Sequence, residues 1–479
     1  MGGHSLFLAV LMCQSEVMAY ITTNPYTNEV VARFADLEDA QLEALVTQAA
    51  DTFEKWSRTS FAERRAIMKK AASLLRAQAD DYAALLTLEM GKLAREAQGE
   101  VKLSADILDY YADNAERFLA PVPLKEAETE NMRPMIVSDP IGVLLAVEPW
   151  NFPYYQLARV AGPQLMAGNT VVVKHSSIVP QCAAAFDKLF QDAGAPAGAY
   201  TNLFATRDQL NRLIEDPRIA AVCLTGGERS GGSVASRAGK SLKKTTLELG
   251  GADAFIVLDD ADLDKTVKWA VWGRLNNGGQ CCVASKRFIV ADSIADAFIA
   301  KFKAALDALV AGDPRDAATT LPPMSSQGAA DELNEQVRQA VAHGARPLYC
   351  GAEVPKQGAF VRATILTDVA RDNPAYFQEF FGPVAMVFRV GSDEEAIALA
   401  NDSEFGLGGS VFTRDEARGV AVALQVRTGM VFINHPTWTA PELPFGGIKK
   451  SGYGRELSGL GIDEFVNKKL INVVNIDAP

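Results

Sequence analysis

Two adjacent cysteines, Cys281 and Cys282, follow Asn276-Asn277-Gly278-Gly279-Gln280, a turn-forming run between a helical stretch and the apolar run Phe288–Val290. A thiol on an open loop at the end of an element can be presented to a ligand, and attack on an electrophilic carbon is the chemistry that placement permits. Two ordinary buried thiols are the alternative reading of the pair taken alone. Glu248-Leu249-Gly250-Gly251 ends the run Thr245-Thr246-Leu247. An acid in apolar surroundings has a raised pKa and can serve as a general base near neutral pH; a surface Glu at a strand end would not. Pro149-Trp150-Asn151-Phe152-Pro153 lies between an apolar run and a helical stretch. There the Asn151 amide, beside free backbone N–H groups, can stabilise a developing oxyanion, or it can simply cap the helix.

These groups need elements to position them. Ile141–Val147, Thr170–Val173 and Ala220–Leu224 are short apolar or β-branched runs, each followed by turn residues and a helical stretch. That alternation predicts a parallel sheet covered by helices. It begins again after Gly250-Gly251 with Ala254–Leu258, Phe288–Val290, Val384–Phe388, Gly409–Phe412 and Met430–Asn434. Residues 38 to 120 read as helical: Leu42, Leu45, Val46, Ala49, Phe53 and Trp56 recur at helical spacing, Ser60-x-x-Glu63 has the form of a capping box, and Leu103–Phe118 is a further helix. Lys469–Val474 is a β-rich run that pairs either with Met132–Val137 or with another subunit. The expected division is a disordered extension over 1–17, a cofactor-binding domain from 18–120 and 141–249, a catalytic domain over 250–440, and bridging or oligomerisation segments at 121–140 and 441–479.

Pro149–Asn151, Lys174–Ser177 and Gly226–Gly231 lie just past the carboxyl ends of the first three runs, the edge on which open α/β sheets bind ligands. The glycines Gly226 and Gly231 are not spaced as GxGxxG, so the common dinucleotide fingerprint is missing. The chain has 479 residues and a net charge of −12, a poor match for phosphate backbones or anionic lipid, so neither nucleic acid nor membrane is an expected partner. No run reaches the ~18 apolar residues of a membrane span. Six scattered cysteines without CxxC spacing, and only four histidines, give no metal site and no disulfide framework, which points to the reducing cytoplasm.

In order and spacing the motifs resemble the aldehyde dehydrogenase superfamily, from Pro149-Trp-Asn-Phe-Pro through Lys174, Leu224-Thr-Gly226, Glu248-Leu-Gly-Gly and Gly279-Gln-Cys-Cys282 to Glu379-Phe-Phe381-Gly-Pro and Pro444-Phe-Gly-Gly-Ile-Lys-Lys-Ser-Gly-Tyr-Gly-Arg-Glu456. The resemblance covers nearly everything after Met18. It implies two parallel-sheet α/β domains, a Rossmann-like cofactor domain and a catalytic domain, with a small β oligomerisation element. It implies Cys282 as nucleophile, Glu248 as base and Asn151 as oxyanion donor. Pro149, Trp150, Leu249 and Gly231 would line the nucleotide cleft. Lys174 would meet the adenosine ribose, Gly226 the pyrophosphate, Glu379 the nicotinamide ribose and Phe381 the nicotinamide. It also implies a homodimer or homotetramer joined through Met132–Val137 and Lys469–Val474.

Two departures from the usual pattern bear on cofactor choice. After Lys174, His175-Ser176-Ser177 replaces the common Pro-Ser-Glu; without an acid at 177 a 2′-phosphate is not repelled, so NADP is the expected cofactor, with NAD possible. Gly227 stands where many members carry a Ser. Substrate clues come from the helix after Asn151, where Tyr155 and Arg159 follow at four-residue spacing on one face. An Arg here is similar to bacterial succinate-semialdehyde dehydrogenases and would hold the distal carboxylate of a short substrate, with Trp438, Thr439 and Phe445 completing the pocket. Many of those enzymes carry a second Arg where this chain has Asn276, so a broad aldehyde specificity is the competing expectation. An acylating, coenzyme A-dependent relative is the other; Glu248 argues against it, and no histidine motif supports a cysteine hydrolase.

Overall fold

In the computed structural model, which describes residues 19–477, Leu144, Leu145 and Val171–Val173 are each no more than 1% exposed. Strands made of such unbroken apolar runs are stable only when both faces are covered, and that requirement shapes the first sheet. Its spatial order is Tyr200–Asn202, Thr170–His175, Val143–Glu148, Ile219–Thr225, Lys244–Glu248 and Gly452–Tyr453. All neighbours are parallel except the last pair. The chain starts at Val143–Glu148, winds outward one way, then returns to wind the other way. The switch point falls between Val143–Glu148 and Ile219–Thr225, where a crevice opens beyond the carboxyl ends.

Residues 249–252 carry the chain from this sheet into a second one, ordered Arg346–Tyr349, Thr364–Thr367, Val384–Val390, Ser285–Ala291, Asp253–Val257, Gly409–Phe412 and Phe432–Ile433. It is parallel except at Arg346–Tyr349. The expected βαβ alternation is present in both sheets. The run expected over Met430–Asn434 pairs only at Phe432–Ile433, because the backbone enters the left-handed region at Asn434. Tyr200–Asn202 and the hairpin Tyr20–Asn24 with Glu29–Phe34 are additions too short or too mixed to read from periodicity.

The helical stretch resolves into Asp39–Trp56, Phe61–Ala77, Ala79–Met90 and Ala94–Phe118. Ser60 and Glu63 form the expected reciprocal cap. Val466–Val474 pairs antiparallel with Met132–Pro140 of the same chain, with Lys469 opposite Val137. The extension expected over residues 1–17 lies outside the described residues, and no helix among them is long and apolar enough to cross a membrane.

Candidate active site

The loop that carries Cys282 is built by a backbone few residues tolerate. Asn277, Gly278 and Gly279 all have positive φ (57°, 63° and 80°), and a Cβ on Gly279 would come within 2.5 Å of the Gly382 carbonyl oxygen. The loop therefore turns tightly under the start of the strand Ser285–Ala291 and lifts Cys282 to a half-buried position, with Cys281 buried behind it. Arg274 clasps this turn from below, donating to the carbonyls of Ser285 (3.0 Å) and Gly279 (2.7 Å).

Across from the loop, Glu248 ends its strand opposite Thr225 and is 3% exposed. Its Oε1 is buried without a hydrogen-bond partner. Burial pushes its pKa up to about 8, an effect the nearby Arg159 guanidinium opposes. The Cys282 thiol is also held above the ordinary thiol range, first by its hydrogen bond with the free Cys281 thiol, then by burial and the Glu248 charge. Gly251 allows this approach of the two sheets, since a Cβ there would come 2.5 Å from the Cys282 carbonyl oxygen.

Asn151 is fixed from three sides. Its Nδ2 donates to the Gln280 carbonyl (3.1 Å), and its own carbonyl accepts from Asn277 Nδ2 (2.7 Å) and Lys92 Nζ (3.1 Å). Lys92 is paired with Glu100, whose Oε1 accepts from Tyr154 N–H (2.8 Å) and Tyr155 N–H (3.2 Å) and so caps the helix Pro153–Ala167. Sequence reasoning missed Lys92, Glu100, Asn277 and Gln280. The signal available was that charged and amide groups fall inside otherwise apolar segments, where each must find a partner.

A cavity of about 210 Å³ joins these groups: it runs from Cys282 and Glu248 past Asn151 to Gly226 and Gly227, with Trp150, Glu379 and Phe381 on its walls. Trp150 and Phe381 meet edge to face at 5.8 Å. Gly227 begins the helix Glu228–Lys240 with no side-chain cap, leaving backbone N–H groups aimed at the crevice. A Cβ on Gly231 would come 2.8 Å from Leu249 Cδ1, so this glycine lets the first helical turn lie flat against the cleft floor. Lys174, next to last in its strand, lies beside Tyr20 (5.1 Å to the ring), and Ser177 stands half-buried in the loop beyond the strand. Uncapped N–H groups, a flat glycine floor, a cation and a hydroxyl fit a phosphorylated nucleotide lying along this edge. His175 serves structure: burial lowers its pKa to about 4, and its ring is held between the Glu148 and Pro153 carbonyls and the Ser176 N–H.

Of the expected substrate residues, Arg159, Tyr155, Thr439 and Phe445 come together, but beside the cavity rather than on its wall, and Trp438 stands apart from them. Arg159 is 2% exposed and salt-bridged to Glu456 at 2.5 Å; it also donates to Thr225 Oγ1 (2.8 Å) and the Tyr155 hydroxyl (3.3 Å). Its guanidinium sits over the rings of Tyr155 (4.9 Å) and Phe445 (5.3 Å). Tyr155 meets Thr439 at 3.1 Å, while Trp438 is 47% exposed and packs near His435. The sequence reading of Arg159 as a cation waiting for substrate did not anticipate Glu456, which already matches its charge.

The sequence pattern of the aldehyde dehydrogenase family matches residues 13–471. The chain is 50% identical over 454 residues to a succinate-semialdehyde dehydrogenase [NADP(+)] of Deinococcus radiodurans, covering 94% of each protein. It is 44% identical to a probable succinate-semialdehyde dehydrogenase [NADP(+)] of Synechocystis sp., covering 95% of this chain and 99% of that one. Among solved structures it is similar to a succinic semialdehyde dehydrogenase from Streptococcus pyogenes in complex with NADP+, with 49% identity, a TM-score of 0.93, and coverage of 95% of this chain and all of the other. With its two parallel sheets and the cleft between them, the chain belongs to the aldehyde dehydrogenase family.

Proposed function

We propose that this protein oxidises succinate semialdehyde to succinate with NADP as hydride acceptor, through a thioester on Cys282 that water then cleaves. The observation that carries the reading is that Cys282, Glu248 and Asn151 open onto one cavity whose further wall is Glu379, Phe381 and the uncapped helix at Gly227. Cys282 as thiolate attacks the aldehyde carbon. The resulting oxyanion is held by the Asn151 amide, which has one N–H beyond that given to Gln280, and by the Cys282 backbone N–H; each donor contributes roughly 3–4 kcal/mol. A nicotinamide held against Glu379 and Phe381 would supply the acceptor for the hydride that leaves the tetrahedral carbon as its C=O re-forms in the thioester. Glu248 then removes a proton from water as it attacks the thioester, a task suited to a buried acid with a pKa of about 8.

NADP rather than NAD is supported by Ser177 in place of an acid, by Lys174 nearby, and by the NADP named for the relatives. The carboxylate end of the substrate is assigned to Arg159, which would be shared with Glu456. That shared charge also favours a second reading, a broader aldehyde specificity in which Arg159 only braces the pocket. The chain is further proposed to form a homodimer or homotetramer through the edge strand Val466–Val474, where Leu470, Ile471, Val473 and Val474 are all exposed.

Following reduced-nicotinamide absorbance with succinate semialdehyde, NADP and no coenzyme A tests the proposal. Rapid turnover, far above that with butanal, is expected. Turnover only with coenzyme A would replace hydrolysis by acyl transfer, and equal rates with butanal would favour the broader reading.

A further inference from the structure

Lys286 is the second residue of the strand Ser285–Ala291, and its side chain is 0% exposed. A buried ammonium is tolerated only where its charge and its three N–H groups are matched. All three are used here: Cys281 O at 3.0 Å, Cys282 O at 2.7 Å and Glu379 Oε1 at 2.8 Å. An apolar residue at this position would fill a strand start at lower cost than a buried ion pair. The three acceptors lie on the nucleophile loop and on the acid at the cofactor end of the cavity.

The geometry of the peptide unit gives this cation a consequence for the chemistry. A trans peptide points its C=O and N–H in opposite directions. Turning the Cys281 carbonyl onto Lys286 therefore turns the Cys282 N–H away from it. The Ala284 N–H donates to the same carbonyl at 3.1 Å, so that peptide is clamped by two donors. A charged donor on the carbonyl also polarises the unit and strengthens its N–H as a donor. The link to the other wall runs through Glu379, whose Oε1 also accepts from the Gly251 N–H at 3.1 Å.

Resting on the reading above, in which Cys282 attacks and its N–H receives the oxyanion, we propose that Lys286 is a positioning residue that aims and polarises the Cys282 N–H and locks the nucleophile loop to Glu379. Two reagents acting on cofactor-free enzyme test this. p-Nitrophenyl acetate forms a thioester on Cys282, creating an oxyanion on the way and expelling p-nitrophenolate. Iodoacetamide forms a carbon–sulfur bond by displacing iodide and creates no oxyanion. Rates are compared at the plateau of each variant's pH profile, so that differences in thiol ionisation drop out, and the modified residue is located by peptide mass.

Lys286→Met is expected to slow acylation about 100-fold while alkylation stays within roughly threefold of wild type, and Lys286→Arg to recover at least about tenfold of the loss. Equal losses with both reagents, or acylation within roughly threefold of wild type, would overturn the proposal. If Lys286→Met does not fold, the double variant Lys286→Met with Glu379→Gln removes both charges of the pair and is held to the same comparison. A wild-type enzyme that releases p-nitrophenolate no faster than Cys282→Ala would remove the nucleophile reading, and this proposal with it.

Discussion

At the thiol end of the cleft, Asn151, Asn277, Gln280, Lys92 and Lys286 bind one another or the carbonyls around them. At the proposed nucleotide end, Gly227 starts its helix without a side-chain cap, Lys174 donates among the described residues only to the neighbouring His175 carbonyl, and glycines form the floor. On the proposed mechanism the first region holds reacting groups to a fraction of an ångström before substrate arrives, so the protein supplies the partners itself. On the same proposal the second holds a ligand that brings its own acceptors, so its donors are left available. Fold and cofactor edge are thus separable from the chemistry, and substitutions at the two ends should fail in different ways.

The largest effect is expected at the thiol. Cys282→Ala should abolish reduced-cofactor formation, a loss of at least about 10⁴-fold in kcat, while Cys281→Ala keeps most of it. Reversed results would exchange the two roles. Glu248→Gln should spare thioester formation and slow its hydrolysis by roughly 10²–10⁴-fold, giving a burst of reduced cofactor followed by slow turnover. Because the base form of Glu248 is its carboxylate and burial raises its pKa to about 8, hydrolysis-limited turnover in wild type should climb as pH rises through about 8. A flat profile across that range would take Glu248 out of the hydrolytic step.

Changes at the nucleotide end should leave the thiol chemistry alone. Ser177→Glu places a like charge against a 2′-phosphate, which costs several kcal/mol, so the ratio of kcat/KM values should swing toward NAD by about 100-fold. Wild-type kcat/KM already higher for NAD would contradict the assignment of Ser177. The smallest and most informative change is Arg159→Ala. A charged hydrogen bond is worth ~1.5–3 kcal/mol, so succinate semialdehyde should lose about 10- to 150-fold in kcat/KM and butanal almost nothing. Equal losses would mean that Arg159, through Glu456 and Thr225, supports the wall beside Glu248 rather than reading the substrate.

The parts legible in the sequence were those with a local signature. Unbroken β-branched runs gave the buried strands, Ser60-x-x-Glu63 gave its helix cap, and the motifs around Asn151, Glu248, Cys282 and Glu379 marked residues that meet at one cavity. What stayed hidden depends on contacts between distant segments. Lysine normally keeps its charge in water, so nothing near Lys286 or Lys92 in the chain announces that either is buried against the carbonyls of Cys281, Cys282 or Asn151. Glu456 was visible in a glycine-rich motif, but only the packing of that segment against the helix Pro153–Ala167 pairs it with Arg159. Tyr155 and Thr439 likewise meet only through the fold.

The covalent thioester is tested most directly by intact-protein and peptide mass after quenching Glu248→Gln during turnover with NADP and succinate semialdehyde. A succinyl group on the peptide carrying Cys282, present in near-stoichiometric amount and absent without cofactor, is the expected result. Unmodified Cys282 during the burst, or the acyl group on Cys281, would contradict the account.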